Sequence, residues 1–193
     1  MSNREITREE VEPLLRDSPL RERIDYLLEN PELGSRPLTR LNGYGNIYPN
    51  CFGTTLFLLD AQRDLLDKFR RRLGLRGELI VQSKTGEDFM VFPKKLIGPG
   101  SLQPNYVEFF LDKHCTKTSS PIHGRIVVTS GISDQENYHS TLHSAVYLGE
   151  IDKVPYVFEQ NGLGKEFRFD LFYRMVNKNG ITGNSFYRYN PRE

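Results

Sequence analysis

Tyr44-Gly-Asn-Ile-Tyr48-Pro-Asn50-Cys51-Phe52-Gly53-Thr-Thr-Leu56 decides how the chain is read. A loop rich in Gly, Pro and Asn runs into a cysteine, and an amphipathic stretch follows. Over residues 54–73 the apolar positions Leu56, Leu59, Leu66, Phe69 and Leu73 hold one stripe, which predicts a long helix. Arg70, Arg71 and Arg72 stand where the helix dipole favours cations, and Gly74 suits the left-handed position that ends a helix. Cys51 therefore stands at the mouth of a helix, where free N–H groups and the dipole favour a thiolate. Gly53 keeps the first turn uncluttered, so that a substrate can approach the sulfur. The competing reading of such a cysteine is a small buried hydrophobe.

Beyond Gly74 the pattern changes to short β-rich runs. Strands are expected at residues 78–82, 88–92, 125–129, 142–148, 156–160, 166–172 and 186–189, while residues 107–111 fit either helix or strand. One long helix followed by a mostly antiparallel sheet gives an α+β class. Upstream, Thr7 and Glu10 have capping-box spacing, but Pro13 spoils that helix or moves its start. Ser18-Pro19 supplies an N-cap followed by proline at the first helical position, and Leu20, Ile24, Leu27 and Leu28 repeat at helical spacing until Asn30-Pro31. Glycines and prolines make residues 31–50 a structured loop. Residues 1–33 form an N-terminal helical extension packed on a domain of residues 34–193, because helices this short cannot bury their own apolar faces.

The chain of 193 residues suits one domain. Its 26 basic and 25 acidic residues leave a net charge of +1, which argues against a strongly basic nucleic-acid binder. No internal repeat is visible. No apolar run reaches the length of a membrane span, and the start has no secretory core, so neither a membrane partner nor a classical signal is expected. Two cysteines exclude a disulfide scaffold and leave a single bridge open. The expected setting is cytoplasmic, or outside the cell by a route that needs no classical signal peptide.

Two further segments bear on Cys51. Leu142-His143-Ser-Ala-Val-Tyr147-Leu-Gly149 begins a strand with a histidine that shares a face with Ala145 and Tyr147. A thiolate nucleophile needs an imidazole as base and then as acid. Tyr156-Val-Phe-Glu159-Gln160-Asn161-Gly162 follows, with Glu159 and Asn161 on one side and Gln160 on the other. An acceptor there can fix the tautomer and orientation of the imidazole. A polar strand end turning at Asn161-Gly162 is the plainer reading.

The order of cysteine, strand-borne histidine and polar residue on the next strand resembles the papain-like NlpC/P60 and CHAP superfamily of cysteine peptidases and amidases. Tyr44-Gly45 with Asn50-Cys51-Phe52-Gly53 resembles that superfamily's Tyr-Gly and Asp-Cys-Ser-Gly segment. His143-Ser-Ala-Val-Tyr-Leu-Gly149 resembles its His-x-Gly/Ala-Ile/Val-Tyr-x-Gly strand, and Ile122-His-Gly-Arg-Ile-Val-Val128 the strand before it. Glu159-Gln-Asn161 resembles the CHAP third strand. The likeness spans about residues 40–172, departing at Asn50, Phe52 and the long interval between Cys51 and His143.

The resemblance implies an NlpC/P60-type fold, with a long helix carrying the cysteine at its N-terminus, and hydrolysis or transfer at an amide carbonyl. Cys51 would attack, His143 would shuttle the proton, and Glu159 or Asn161 would orient it. Tyr44, Tyr48 and Asn50 would line the substrate side, with the Cys51 N–H stabilising the oxyanion. The implied partners are a peptide or peptidoglycan-like substrate and, as for exported antibacterial toxins, an inhibitor or immunity protein. No cofactor is implied.

Three rivals stand beside this reading. His114, Cys115, His123, His139 and His143 suggest a metal site, but His139 and His143 have ligand spacing only on a helix. On a strand they lie roughly 13 Å apart, and Cys115 reads as a loop or edge cysteine. A non-enzymatic module could use the 12 Phe and 10 Tyr as a recognition surface, including the tail Phe186-Tyr187-Arg188-Tyr189, whose plainer reading is a β-edge packed on the body. A transglutaminase-like acyltransferase shares the Cys-His order.

Overall fold

The computed structural model describes residues 4–41, 45–63, 65, 79–82, 89–92, 98–102, 104–132, 139–177 and 181–191. Its helices are α1 (Glu12–Leu15), α2 (Arg21–Glu29), α3 (Glu32–Ser35), α4 (Cys51–Leu58), α5 (Pro104–His114) and α6 (Phe172–Val176). Two small antiparallel sheets comprise β1 (Thr39–Leu41) with β2 (Gly45–Ile47), and β3 (Leu79–Gln82), β4 (Phe89–Phe92) and β5 (Ser101–Leu102). The main sheet holds β6 (Cys115–Thr118), β7 (Ile126–Ile132), β8 (His139–Ile151), β9 (Val154–Gln160), β10 (Phe167–Leu171) and β11 (Ile181–Tyr189). Its order is β10-β9-β8-β7-β11-β6, and every pairing is antiparallel. The class is α+β.

β7 to β10 follow one another across the sheet as a meander. The β8–β9 turn is as tight as a hairpin permits: Ile151 pairs with Val154, and Asp152 and Lys153 between them take φ of 51° and 65°. Positive φ at both central residues twists the turn in the same sense as the strands. β11 enters between β7 and β6, so Phe186 to Tyr189 lie inside the sheet and not on its edge. Residues 107–111 are helical, within α5. Cys115 opens β6, one of the two edge strands, and both cysteines are free thiols.

α4 crosses one face of this sheet, and all eight of its residues are buried. Phe52 and Leu56 pack with Phe110, Leu111, Ile126 and Val128. Phe57 and Leu58 pack with Val146 and Phe158 on the other flank, where Val11, Leu15, Ile24 and Leu27 complete the cluster. Burying a Leu or Ile side chain of this kind contributes about 1.5–3 kcal/mol. Thr54 and Thr55 face the strands, and their hydroxyls meet Gln160 at 2.7 Å and Ser144 at 3.0 Å, so neither is buried unpaired.

The helix expected over residues 54–73 begins earlier, at Cys51, and stops at Leu58. Asp60 takes the left-handed conformation at φ 56°. Arg23 explains the stop: its guanidinium donates to the Phe57 carbonyl, pairs with Asp60 at 2.7 Å and lies 5.2 Å from the Phe57 ring centre. A cation thus satisfies a C-terminal carbonyl that another turn would have consumed. Residues 62, 63 and 65 are helical again. Leu66, Phe69 to Leu73 and Gly74 lie outside the described residues.

Two other boundaries differ. α2 starts at Arg21, not at Pro19, because the Ser18 hydroxyl accepts from Leu20 N–H at 3.1 Å and also meets His123 Nε2 at 2.6 Å. α1 starts at Glu12, with Pro13 in its first turn where a missing N–H costs nothing, while Thr7 N–H donates to the Glu10 carboxylate at 3.0 Å. Residues 31–50, expected as loop, contain α3 and the β1–β2 hairpin.

The mouth of α4 is held against the segment before β5. A Cβ on Gly53 would lie 1.8 Å from the Gly100 carbonyl oxygen, a backbone atom that cannot swing aside, whereas one on Gly98 would meet only Leu33 at 3.5 Å. Gly53→Ala should therefore lower unfolding stability in urea by about 2–4 kcal/mol. Gly98→Ala should stay within about 1 kcal/mol of the parent. Equal effects of the two changes would mean that the helix mouth is not clamped as described.

Candidate active site

Each candidate side chain is placed by strand parity. Arg168 on β10 stands opposite Glu159 on β9, and Phe158 opposite Val146 on β8. His143, Ala145, Glu159 and Arg168 therefore share one face, while Ser144 and Gln160 point to the face that carries α4. Thr54 of α4 sits on Gln160, the last residue of β9, so Cys51, one turn ahead, projects past the strand end. There the Cys51 side chain comes close enough to the His143 ring to act on its charge. The sequence reading named these two residues, and the structure brings them together.

Behind His143 runs a row of charges. Nε2–H of His143 donates to Glu159 Oε2 at 2.6 Å. The other carboxylate oxygen, Oε1, accepts from Arg168 Nε at 3.1 Å and Nη2 at 2.9 Å. Arg168 Nη2 also reaches Asp170 Oδ2 at 2.6 Å, and Asp170 Oδ1 takes the Leu171 N–H at 2.8 Å and faces Arg174 at 3.6 Å. Cation and anion alternate from the helix mouth to α6. Glu159 is only 1% exposed, so an unpaired charge there would cost several kcal/mol; it is flanked on both sides.

These contacts set the protonation of His143. Burial, the largest influence, favours the neutral ring. It is outweighed by the charge of Cys51 together with the hydrogen bond and charge of Glu159, and the ring is held up at about 9. The sign follows. The folded value lies above the ordinary 6.5, so the stability this ring contributes is complete below about pH 6.5. It is lost as pH rises through about 9. At neutral pH the ring is an imidazolium facing sulfur.

The remaining candidates make contacts of their own. Asn50 is the N-cap of α4: Oδ1 accepts from Gly53 N–H at 3.0 Å and Leu102 N–H at 3.2 Å, and Nδ2 donates to the Leu102 carbonyl at 2.8 Å. An aspartate could not make the last bond, which accounts for the amide at this position. The bare Cα of Gly53 admits the Gly100 backbone and not a substrate, a correction to the expectation above. Tyr48 packs its ring on Gly164, and its hydroxyl meets Asn46 at 3.5 Å. Asn161 N–H closes a turn onto the Glu166 carbonyl at 3.1 Å. Tyr44 lies outside the described residues. Among the described residues no three His, Cys, Asp or Glu side chains converge as a metal site, and no helix is long and apolar enough to cross a membrane.

Gln160 is the residue that sequence reasoning undervalued. It is fully buried; Oε1 accepts from Thr54, and Nε2 lies within 3.2 Å of the carbonyls of Gly34, Pro49 and Lys165. One amide thus ties the loop before Cys51 to α3, α4 and the β9–β10 turn. Its signal was its parity: a polar side chain on the core-facing side of a strand must have buried partners.

Comparison with family models, with curated proteins and with solved structures returned no match. The reading of the site therefore rests on its geometry.

The two thiols stand in opposite settings. Burial pushes Cys115 up to about 12, whereas Cys51 faces a cation. Iodoacetamide at pH 7, followed by peptide mass mapping, should label Cys51 about tenfold faster or more, because only the thiolate reacts. Faster labelling of Cys115 would show that the imidazolium does not act on Cys51.

Proposed function

We propose that the protein is a thiol-dependent amide hydrolase, a papain-like peptidase or amidase of the kind that the NlpC/P60 and CHAP resemblance implies. Its substrate class is a peptide or peptidoglycan-like amide. The observation that carries the reading is the placement of His143 between the Cys51 sulfur and the buried Glu159 carboxylate. A cysteine at a helix start, an imidazole and an orienting carboxylate are the parts that nucleophilic acyl transfer requires.

In this mechanism the Cys51 thiolate adds to the amide carbonyl. The oxyanion forms beside the Cys51 backbone N–H in the first turn of α4, a position with no intrahelical acceptor. His143 gives its proton to the departing amine as the C–N bond breaks, leaving a thioester. The neutral ring then takes a proton from water, which attacks the thioester and releases the acid and the thiolate. Glu159 holds the ring in one tautomer and stabilises its charged state, and Arg168 holds Glu159.

A screen of peptide and peptidoglycan-fragment amides comes first, followed by kinetics on variants. Cys51→Ala should abolish turnover. Glu159→Gln should lower kcat/KM about a hundredfold, since an amide accepts the hydrogen bond but does not stabilise the imidazolium. It should also destabilise the fold by about 3 kcal/mol, because it leaves Arg168 and His143 without their shared anion. Asn161→Ala should cost less on both measures. Hydrolysis undiminished in Cys51→Ala would sink the proposal.

A further inference from the structure

A slot of about 620 Å³ opens on the side of Glu159 away from His143. Residues 4–6 form one wall and residues 166–170 the other, with Arg174 beside them. Four successive residues of β10, Phe167 to Asp170, line it, with Glu166 just before them. Alternate side chains lie on opposite faces of a strand, so an opening lined by all of them runs along the strand's edge. β10 ends the main sheet, and among the described residues its outer edge is met only by the Ile6–Phe169 bridge. Ile6 already bridges Phe169, the middle residue of β10, so the slot opens beside that bridge.

The charges in the slot are specific. Arg4, Arg168 and Arg174 are set against Glu5, Glu166 and Asp170. Arg168 spends Nε and Nη2 on Glu159 and Asp170; among the described residues its Nη1 takes no partner, and 29% of its side chain is exposed. Arg174 Nη1 holds the Arg4 carbonyl at 3.0 Å, which fixes the opposite wall. A guanidinium edge with unspent N–H groups is a carboxylate receptor. Glu5 and Glu166 disfavour a ligand that is anionic throughout, which leaves a single terminal carboxylate on an otherwise neutral chain.

We propose that this slot binds the carboxylate end of a peptide and holds its terminus at Arg168 Nη1 beside Arg174. The site stands whether or not the thiol hydrolyses amides. It also has a consequence for His143. Arg168 is the group that holds Glu159, so a bound carboxylate competes for its charge, and occupancy is felt at the imidazole. Coupling of this kind is reciprocal.

The test uses the intact chain, with tri-alanine, tri-alanine amide and inorganic phosphate as probes, read by titration calorimetry and by ¹H–¹⁵N spectra. Tri-alanine should shift the backbone amides of β10, the Arg168 Nε–H and the His143 ring. Affinity should fall about tenfold when the terminus is amidated, and about tenfold in Arg174→Gln. Arg4→Gln, at a side chain 67% exposed, should weaken binding without loosening α6. Equal binding of acid and amide would overturn the proposal, as would phosphate reproducing every shift, or shifts confined to residues outside the slot. A His143 ring that stays still at saturation would overturn the coupling.

Discussion

The contact on which the site depends is the 2.6 Å hydrogen bond between His143 and Glu159, made where water hardly reaches. A carboxylate removed from water loses several kcal/mol of solvation, and only close countercharges offset that loss. Glu159 has two: the His143 ring on one oxygen and the Arg168 fork on the other. Neither cation could be withdrawn without exposing the other side of the bargain, a buried charge with half its partners. The antiparallel register of β8, β9 and β10 is what sets these groups at bonding distance, so the electrostatics of the site are written into the sheet.

The cysteine is brought to this row by a different set of constraints. α4 is positioned from both ends. Arg23 closes its C-terminus through Phe57 and Asp60, and Asn50 caps its N-terminus while gripping β5. Gln160 locks the chain just before Cys51 to the end of β9. A helix whose every side chain is buried has little freedom to slide, since any shift would unpair Thr54 and Thr55 from the strands. The sulfur is therefore held at the strand end, where a ring on the opposite face of the sheet can reach it.

Much of this is legible in the sequence. Period-two runs mark five of the six strands of the main sheet, β6 escaping them, and residue order marks Cys51 and His143, with Glu159 or Asn161 to orient the ring. What escaped was set by tertiary partners. The apolar stripe through Leu66 and Leu73 gave no hint of the break at Asp60, because the break is made by Arg23, some forty residues away in sequence. Ser18 looked like a cap, but His123 recruits its hydroxyl. Gln160 carried a parity signal whose meaning depends on α4 lying above it. Arg168 and Asp170 alternate with Phe167, Phe169 and Leu171, and nothing local distinguishes a solvated arginine from one that anchors a buried carboxylate.

The protonation state of His143 tests the account most directly. Long-range ¹H–¹⁵N spectra of the histidine rings, assigned with a His143→Gln variant, report whether each ring nitrogen carries a proton. The account predicts that both nitrogens of His143 are protonated at neutral pH and titrate together near 9, with the midpoint falling in Cys51→Ser and in Glu159→Gln. A ring already neutral at pH 7.5, with a midpoint near the ordinary 6.5 and indifferent to both changes, would contradict it.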